Sequence, residues 1–258
     1  YRSHDNHTFI SSTEGLNIFN GLNNRFYHPY THHMYGHNIQ SPFFEDSIGR
    51  VWFTTYEALN YYIPQIDDLD YMYMVSLKGD TLRENYQAFH LEGNALYLKA
   101  GKQIFVLDVS TKHIVHSYPI DFSKLHKVAL LKTADHMYIA GVGVKGYEVY
   151  KIESTNSVSL IDSGNINGSS IINHHDGLCW IGDVDGNIHY YDAKESKFIY
   201  SSQVSRAVVS GISYLSESKL IISGETNQLY EFDIYAKSCT DSIVLTSTPF
   251  NAPVKLLL

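Results

Sequence analysis

Asp46-Ser47-Ile48-Gly49-Arg50-Val51-Trp52-Phe53-Thr54-Thr55-Tyr56-Glu57-Ala58-Leu59-Asn60-Tyr61-Tyr62 and His175-Asp176-Gly177-Leu178-Cys179-Trp180-Ile181-Gly182-Asp183-Val184-Asp185-Gly186-Asn187-Ile188-His189-Tyr190-Tyr191-Asp192 are two spellings of one phrase. Each reads as a turn, a strand opening on tryptophan, a short polar hairpin and an alternating strand ending in aromatics. Weaker copies keep the grammar around Phe9, Leu96, Tyr138 and Ile221. With Trp52 and Trp180, these anchors recur every 41 to 44 residues.

Four short strands per unit at a period of ~40–45 residues describe the blade of a β-propeller. Leading strands precede the anchors at 41–44, 87–90, 128–131, 170–172 and 208–212. Trailing strands follow at 25–27, 71–75, 114–118, 158–161, 198–200 and 242–245. The expectation is an all-β chain forming one domain over 1–258, with repeats of about 1–38, 39–83, 84–125, 126–167, 168–206 and 207–250. Residues 251–258 read as a strand that completes the first blade or starts a further one. The alternatives are therefore a closed six-bladed ring or part of a seven-bladed or larger array.

Composition agrees. The 258 residues are 44% hydrophobic and 18% charged, so the chain has enough to bury and too little charge to stay expanded. Tyrosine is unusually frequent, at 21 against 12 Phe and 2 Trp, and aromatics suit pleated, half-buried surfaces. The net charge is −8 and the 19 Lys and Arg are scattered, which argues against a nucleic-acid surface. No apolar run is long enough to cross a membrane, and the first residues lack the apolar core of a signal peptide. Cys179 lies inside an apolar run and reads as a buried free thiol.

The phrase from Asp46 to Tyr61 resembles the two-component regulator propeller repeat, found in the periplasmic sensor region of bacterial hybrid histidine kinases of Bacteroides-like species. Asp176 to Asp192 matches well, and Gly15-Leu16-Asn17-Ile18-Phe19 gives a clear second half. Ala58 stands where that repeat usually has Gly, and Ile48-Gly49 replaces Asp-Gly. The resemblance implies a periplasmic ligand-sensing module, in many members for oligosaccharides, that works beside a neighbouring propeller or as a homodimer. Membrane span and kinase would lie outside this chain. The repeat residues themselves read as structural. Trp52 and Trp180 fill cores between blades, while Asp46, Gly49, Asp176 and Gly177 shape the preceding turn.

Propeller sites collect on loops. The candidate ligand residues are Tyr35, His37, Tyr56, Glu57, Lys102, Asp183, Asp185, Arg206 and Glu225, with Arg83, Lys124, His126, Lys145, Asn165, Asn167 and Asn227 around them. Aromatics interspersed with amides and charges suit a sugar, whose faces stack and whose hydroxyls bond. Four histidines at 28, 32, 33 and 37 cluster, but their spacing matches no zinc pattern. No nucleophile elbow, zincin helix or phosphate loop occurs. Gly141 to Gly146 joins two strands and reads as a hairpin, and Asp183-Val184-Asp185-Gly186 reads as a tight turn rather than a calcium loop. The expectation is a sensor without cofactor, metal or chemistry of its own. The alternatives are a protein–protein scaffold and a propeller enzyme acting on glycans.

Overall fold

The computed structural model describes residues 1–12, 15–27, 39, 42–55, 58–64, 68–72, 86–154, 157–224 and 228–244. Tyr35, His37, Tyr56, Glu57, Glu225, Arg83, Asn227, the histidines at 28, 32, 33 and 37, and the strand proposed over 251–258 lie outside the described residues. Among those described, 23 strands form six antiparallel sheets, and no helix is long and apolar enough to cross a membrane. Each sheet is an up-and-down meander in chain order, the blade of a β-propeller. The chain divides into two compact units, Tyr1–Asp121 and Phe122–Leu258.

The first unit holds three sheets. The first comprises β1 (His7–Ser12), β2 (Gly15–Asn20) and β3 (Arg25–Tyr27). The second comprises β4 (Phe44–Glu45), β5 (Val51–Thr54), β6 (Leu59–Ile63) and β7 (Asp68–Met72). The third comprises β8 (Tyr86–Glu92), β9 (Ala95–Ala100), β10 (Gln103–Asp108) and β11 (His113–Tyr118).

The second unit repeats the plan three times. Its first sheet, the fourth of the chain, comprises β12 (Lys127–Lys132), β13 (Met137–Gly143), β14 (Gly146–Ser154) and β15 (Ser157–Gly164). The fifth comprises β16 (Gly168–Asn173), β17 (Leu178–Asp183), β18 (Asn187–Asp192) and β19 (Lys197–Gln203). The sixth comprises β20 (Val209–Ser216), β21 (Lys219–Gly224), β22 (Gln228–Asp233) and β23 (Ser238–Val244).

The middle strands read as continuous apolar runs because both faces of a blade are covered. Val51 and Phe53 of β5 pack with Phe9 and Ile18 of the first sheet, whereas Trp52 between them packs with Leu96 and Leu98 of the third. In the second unit Cys179 and Ile181 face the fourth sheet and Trp180 faces the sixth. The two tryptophans thus fill seams between sheets, as their position in the repeat requires. Cys179 is buried and unbridged, and burial pushes its thiol up.

Two trailing-strand assignments shift, and the leading strand of the second sheet is Phe44–Glu45 rather than 41–44. The trailing strand of the second sheet begins at Asp68, earlier than its aromatic run, and that of the sixth begins at Ser238. The second shift has a clear cause: Ser238 to Asp241 are exposed polar residues with no alternation to read. A feature invisible in the sequence recurs in four outer strands. Val115, Ile161, Ile199 and Thr240 are each skipped by the ladder to β10, β14, β18 and β22, forming equivalent β-bulges.

Candidate functional site

The register aligns the two phrases residue by residue. Trp52 pairs with Phe44 and Tyr61, and Trp180 pairs with Ile172 and Tyr190. The turn closes from Asp46 N to Arg50 O at 2.9 Å in one copy and from His174 N to Leu178 O at 2.7 Å in the other. Gly49 and Gly177 take the same left-handed turn position, at φ 83° and 81°. His174 therefore occupies the place of Asp46, and Leu178 that of Arg50. Asp176 sits two residues further on, exposed and paired with Lys194 at 2.6 Å.

In the second sheet this turn is filled and closed. Asp46 Oδ1 accepts from the amides of Ile48 and Arg50, and Oδ2 accepts from Arg50 Nε at 2.7 Å and Trp52 Nε1 at 2.8 Å. The Arg50 guanidinium lies 5.0 Å from the Trp52 ring centroid and donates across the seam to the carbonyl of Val109 at 2.7 Å. Lys112, from the third sheet's last turn, donates to Tyr61 Oη at 2.5 Å.

The equivalent seam between the fifth and sixth sheets is packed by Trp180, Leu220, Ile222 and Phe232 but has no such bridge at its turns. Leu178 reaches no carbonyl across it, and a cleft of about 1100 Å³ lies there. Its walls include His174, His175, Tyr190, Tyr214 and Tyr235, with Asn173, Ser216, Glu217, Ile234 and Lys237 completing the lining. His174 Nδ1 and Tyr190 Oη are 2.7 Å apart, and the His174 ring stacks on Tyr214 at 5.4 Å. Tyr190 in turn stacks on Trp180 at 4.3 Å. The indole N–H of Trp180 and the hydroxyl of Tyr214 are buried without a hydrogen-bond partner among the described residues.

Electrostatics keeps this wall neutral. Burial, then the neighbouring His175, lowers the pKa of His174. Burial pushes Tyr190 up to about 12 and raises Tyr214 further. The outer lip is Tyr235, 79% exposed, on a turn held by two bonds from the amides of Tyr235 and Ala236 to Asp233 Oδ1. Lys237 ends that turn, accepting from Tyr200 Oη through its carbonyl.

Of the loop residues expected from sequence, the structure brings Asp183, Asp185 and Arg206 to one edge of the fifth and sixth sheets. There the amides of Val204 and Ser205 donate to the carbonyl of Gly186, and Gln203 reaches the carbonyl of Asp185. Arg206 lines a smaller opening of about 460 Å³ with Gln203, Ser205, Gln228 and Tyr230. Asp183 does not face it as a ligand group. Its buried carboxylate is committed to the amides of Asp185 and Asn187, to Asn187 Nδ2 and to His189 Nε2. Burial alone would raise its pKa, but the bonds from Asn187 and His189 outweigh burial and hold it below the usual range. His189 continues to Ser201 Oγ at 2.8 Å, away from both openings, so the relay pins the turn. Lys102, in the first unit, is exposed and paired with Asp121 at 3.3 Å. Val144-Lys145 is the expected two-residue hairpin loop between β13 and β14, with Lys145 exposed.

Among the described residues no group of three or more His, Cys, Asp or Glu side chains is placed to hold a metal. The cleft's own residues, His174, Tyr190, Tyr214 and Tyr235, escaped the loop-based reading. Their signal was a departure from the repeat, His for Asp46 and Leu for Arg50.

No protein-family model matches the chain, and no curated protein matches it in sequence. Solved structures do resemble it. The computationally designed Ika8 protein is 12% identical at a TM-score of 0.68, over 99% of this chain and 75% of that one. A chain of the Mitotic Checkpoint Complex is 10% identical at 0.61, over 80% of this chain and 64% of that one. At these identities the likeness shows the fold alone.

Proposed function

We propose that this chain is a ligand-sensing propeller module, placed in the periplasm as part of a two-component sensor, that binds an oligosaccharide and leaves the chemistry to other domains. The observation that carries the binding reading is the cleft between the fifth and sixth sheets. Its size suits a small ligand, and it combines aromatic faces with amide, hydroxyl, carboxylate and ammonium groups at the rim. Tyr235 gives an exposed aromatic plane on a turn already fixed by Asp233, so stacking a pyranose on it orders little. The sensor and periplasmic parts rest on the resemblance of residues 46–62 and 176–192 to the regulator propeller repeat.

Calorimetric titration with a panel of neutral and acidic oligosaccharides tests the binding reading. Saturable binding that Tyr235→Ala weakens supports it, and a flat response across the panel overturns it. The signalling part is tested by whether the full gene also encodes a membrane span and a kinase.

A second reading, a protein–protein scaffold, draws on β23. That outer strand is exposed along its length, with Ile243 and Val244 both solvent-facing. Capture of a stable partner that Ile243→Lys abolishes, with no response to sugars, would favour it.

A further inference from the structure

We propose that the cleft between the fifth and sixth sheets selects uncharged oligosaccharides, and that Glu217 and Lys237 set this selectivity by opposing one another at its rim. The proposal deepens the binding reading above and rests on it. The half-buried part of the lining is His174, Tyr190, Tyr214 and Ile234, and none of these carries a charge at neutral pH. His174 Nδ1 and Tyr190 Oη are bonded to each other, and the Tyr214 hydroxyl is buried out of reach of the opening. A ligand therefore meets this wall as ring faces and carbon rather than as partners for an ion.

The exposed rim carries the charges. Among the described lining residues Glu217 is the one carboxylate and Lys237 the one ammonium. Lys237 Nζ lies 5.1 Å from the centroid of the Tyr200 ring rather than against a carboxylate. Other charges on the flanking turns are paired or capped. Asp176 pairs with Lys194, Asp192 accepts from the amides of Lys194 and Glu195, and Asp233 accepts from those of Tyr235 and Ala236. An ion entering the cleft is drawn by one rim charge and repelled by the other. Coulomb attraction then does not offset the hydration it gives up against the aromatic wall. Hydroxyl groups lose less, because each both donates and accepts. The rim answers both roles: the Asn173 amide donates and accepts, Glu217 accepts and Lys237 donates. Neutral sugar rings combine such hydroxyls with C–H faces that can stack on the exposed Tyr235 ring. Uronates and amino sugars are the compounds this balance disfavours.

The test is calorimetric titration of the whole chain, at low ionic strength, with β-1,4-linked glucose trisaccharides that differ only at C6. That carbon bears a hydroxymethyl, a carboxylate or an aminomethyl group. The neutral trisaccharide should bind about tenfold tighter than either charged one, the scale of one uncompensated polar group. Glu217→Gln should strengthen the carboxylate about two- to fivefold and weaken the amine, and Lys237→Gln should do the reverse. Neither variant should move the neutral trisaccharide by more than about twofold. A charged trisaccharide that binds the parent as tightly as the neutral one overturns the selectivity and leaves the oligosaccharide reading standing. A neutral preference that neither variant shifts overturns the role of Glu217 and Lys237. Silence from all three trisaccharides overturns both the selectivity and the oligosaccharide reading.

Discussion

The turns at 46–52 and 174–180 share backbone path, glycine conformation and tryptophan, yet one is sealed and the other lines a cleft. Two side chains separate them. Asp46 gathers four donors and Arg50 spans the seam to Val109, while His174 and Leu178 do neither. The lesson is that in a repeat-built protein the structural copies define what a filled seam looks like. A site is found where a copy gives that filling up.

The largest way to break the contrast is to unseal the closed copy. Asp46→Ala leaves the Arg50 guanidinium and the Trp52 indole without their acceptor in a buried place. Loss of a buried pair's partner costs about 3–5 kcal/mol, which urea unfolding would register as a lower midpoint at unchanged slope. A midpoint within error of the parent would mean that the carboxylate does not hold the turn.

A finer probe compares the two tryptophans. Trp52→Phe removes a made bond and strips Asp46 of a donor, whereas Trp180→Phe removes a donor that bonds to nothing. Trp52→Phe should therefore be the costlier by about 1–3 kcal/mol, the cost of an unsatisfied buried group. Equal costs in denaturant titrations would erase the distinction between sealed and open copies.

Smaller effects lie at the lip and in the titration of the wall. Tyr235→Ala should reduce ligand affinity about tenfold, in the range of one stacked aromatic, while thermal unfolding stays unchanged because the ring is exposed. A matching fall in stability would make Tyr235 a packing residue instead. The open turn also carries an imidazole that the closed one lacks. Because burial lowers the pKa of His174 below its ordinary 6.5, the unfolded chain binds that proton more readily. Stability should be full above that ordinary value and decline as pH falls through the window beneath it. His174→Gln should flatten the decline, and an identical pH profile in the variant would show that His174 does not carry it.

Much of the fold was legible in the sequence because Trp52, Trp180 and their weaker counterparts sit on strands buried on both faces, where apolar runs cannot be avoided. The sheets fall within the repeats so marked. Less legible were strands made of polar residues, such as Ser238 to Asp241, whose pairing follows from the neighbour β22 rather than from their own pattern. Arg206, chosen as a loop residue, does line an opening, while Asp183 proved to be turn scaffolding and Lys102 an exposed paired lysine. The cleft was hidden for a different reason. Arg50 seals its seam by reaching a carbonyl 59 residues away, and no local pattern records that bridge or its absence at Leu178. Comparing copies for lost polar partners, rather than collecting polar loops, would have pointed to His174.

The bulges at Val115, Ile161, Ile199 and Thr240 bear on a hazard that any chain of near-identical sheets carries: every outer strand is a possible template for its sisters and for other molecules. A straight row of unpaired amides and carbonyls would invite such stacking, and one skipped residue per strand bends the row out of line. The same irregularity, placed in four outer strands, makes each of them a poor template for a sister strand.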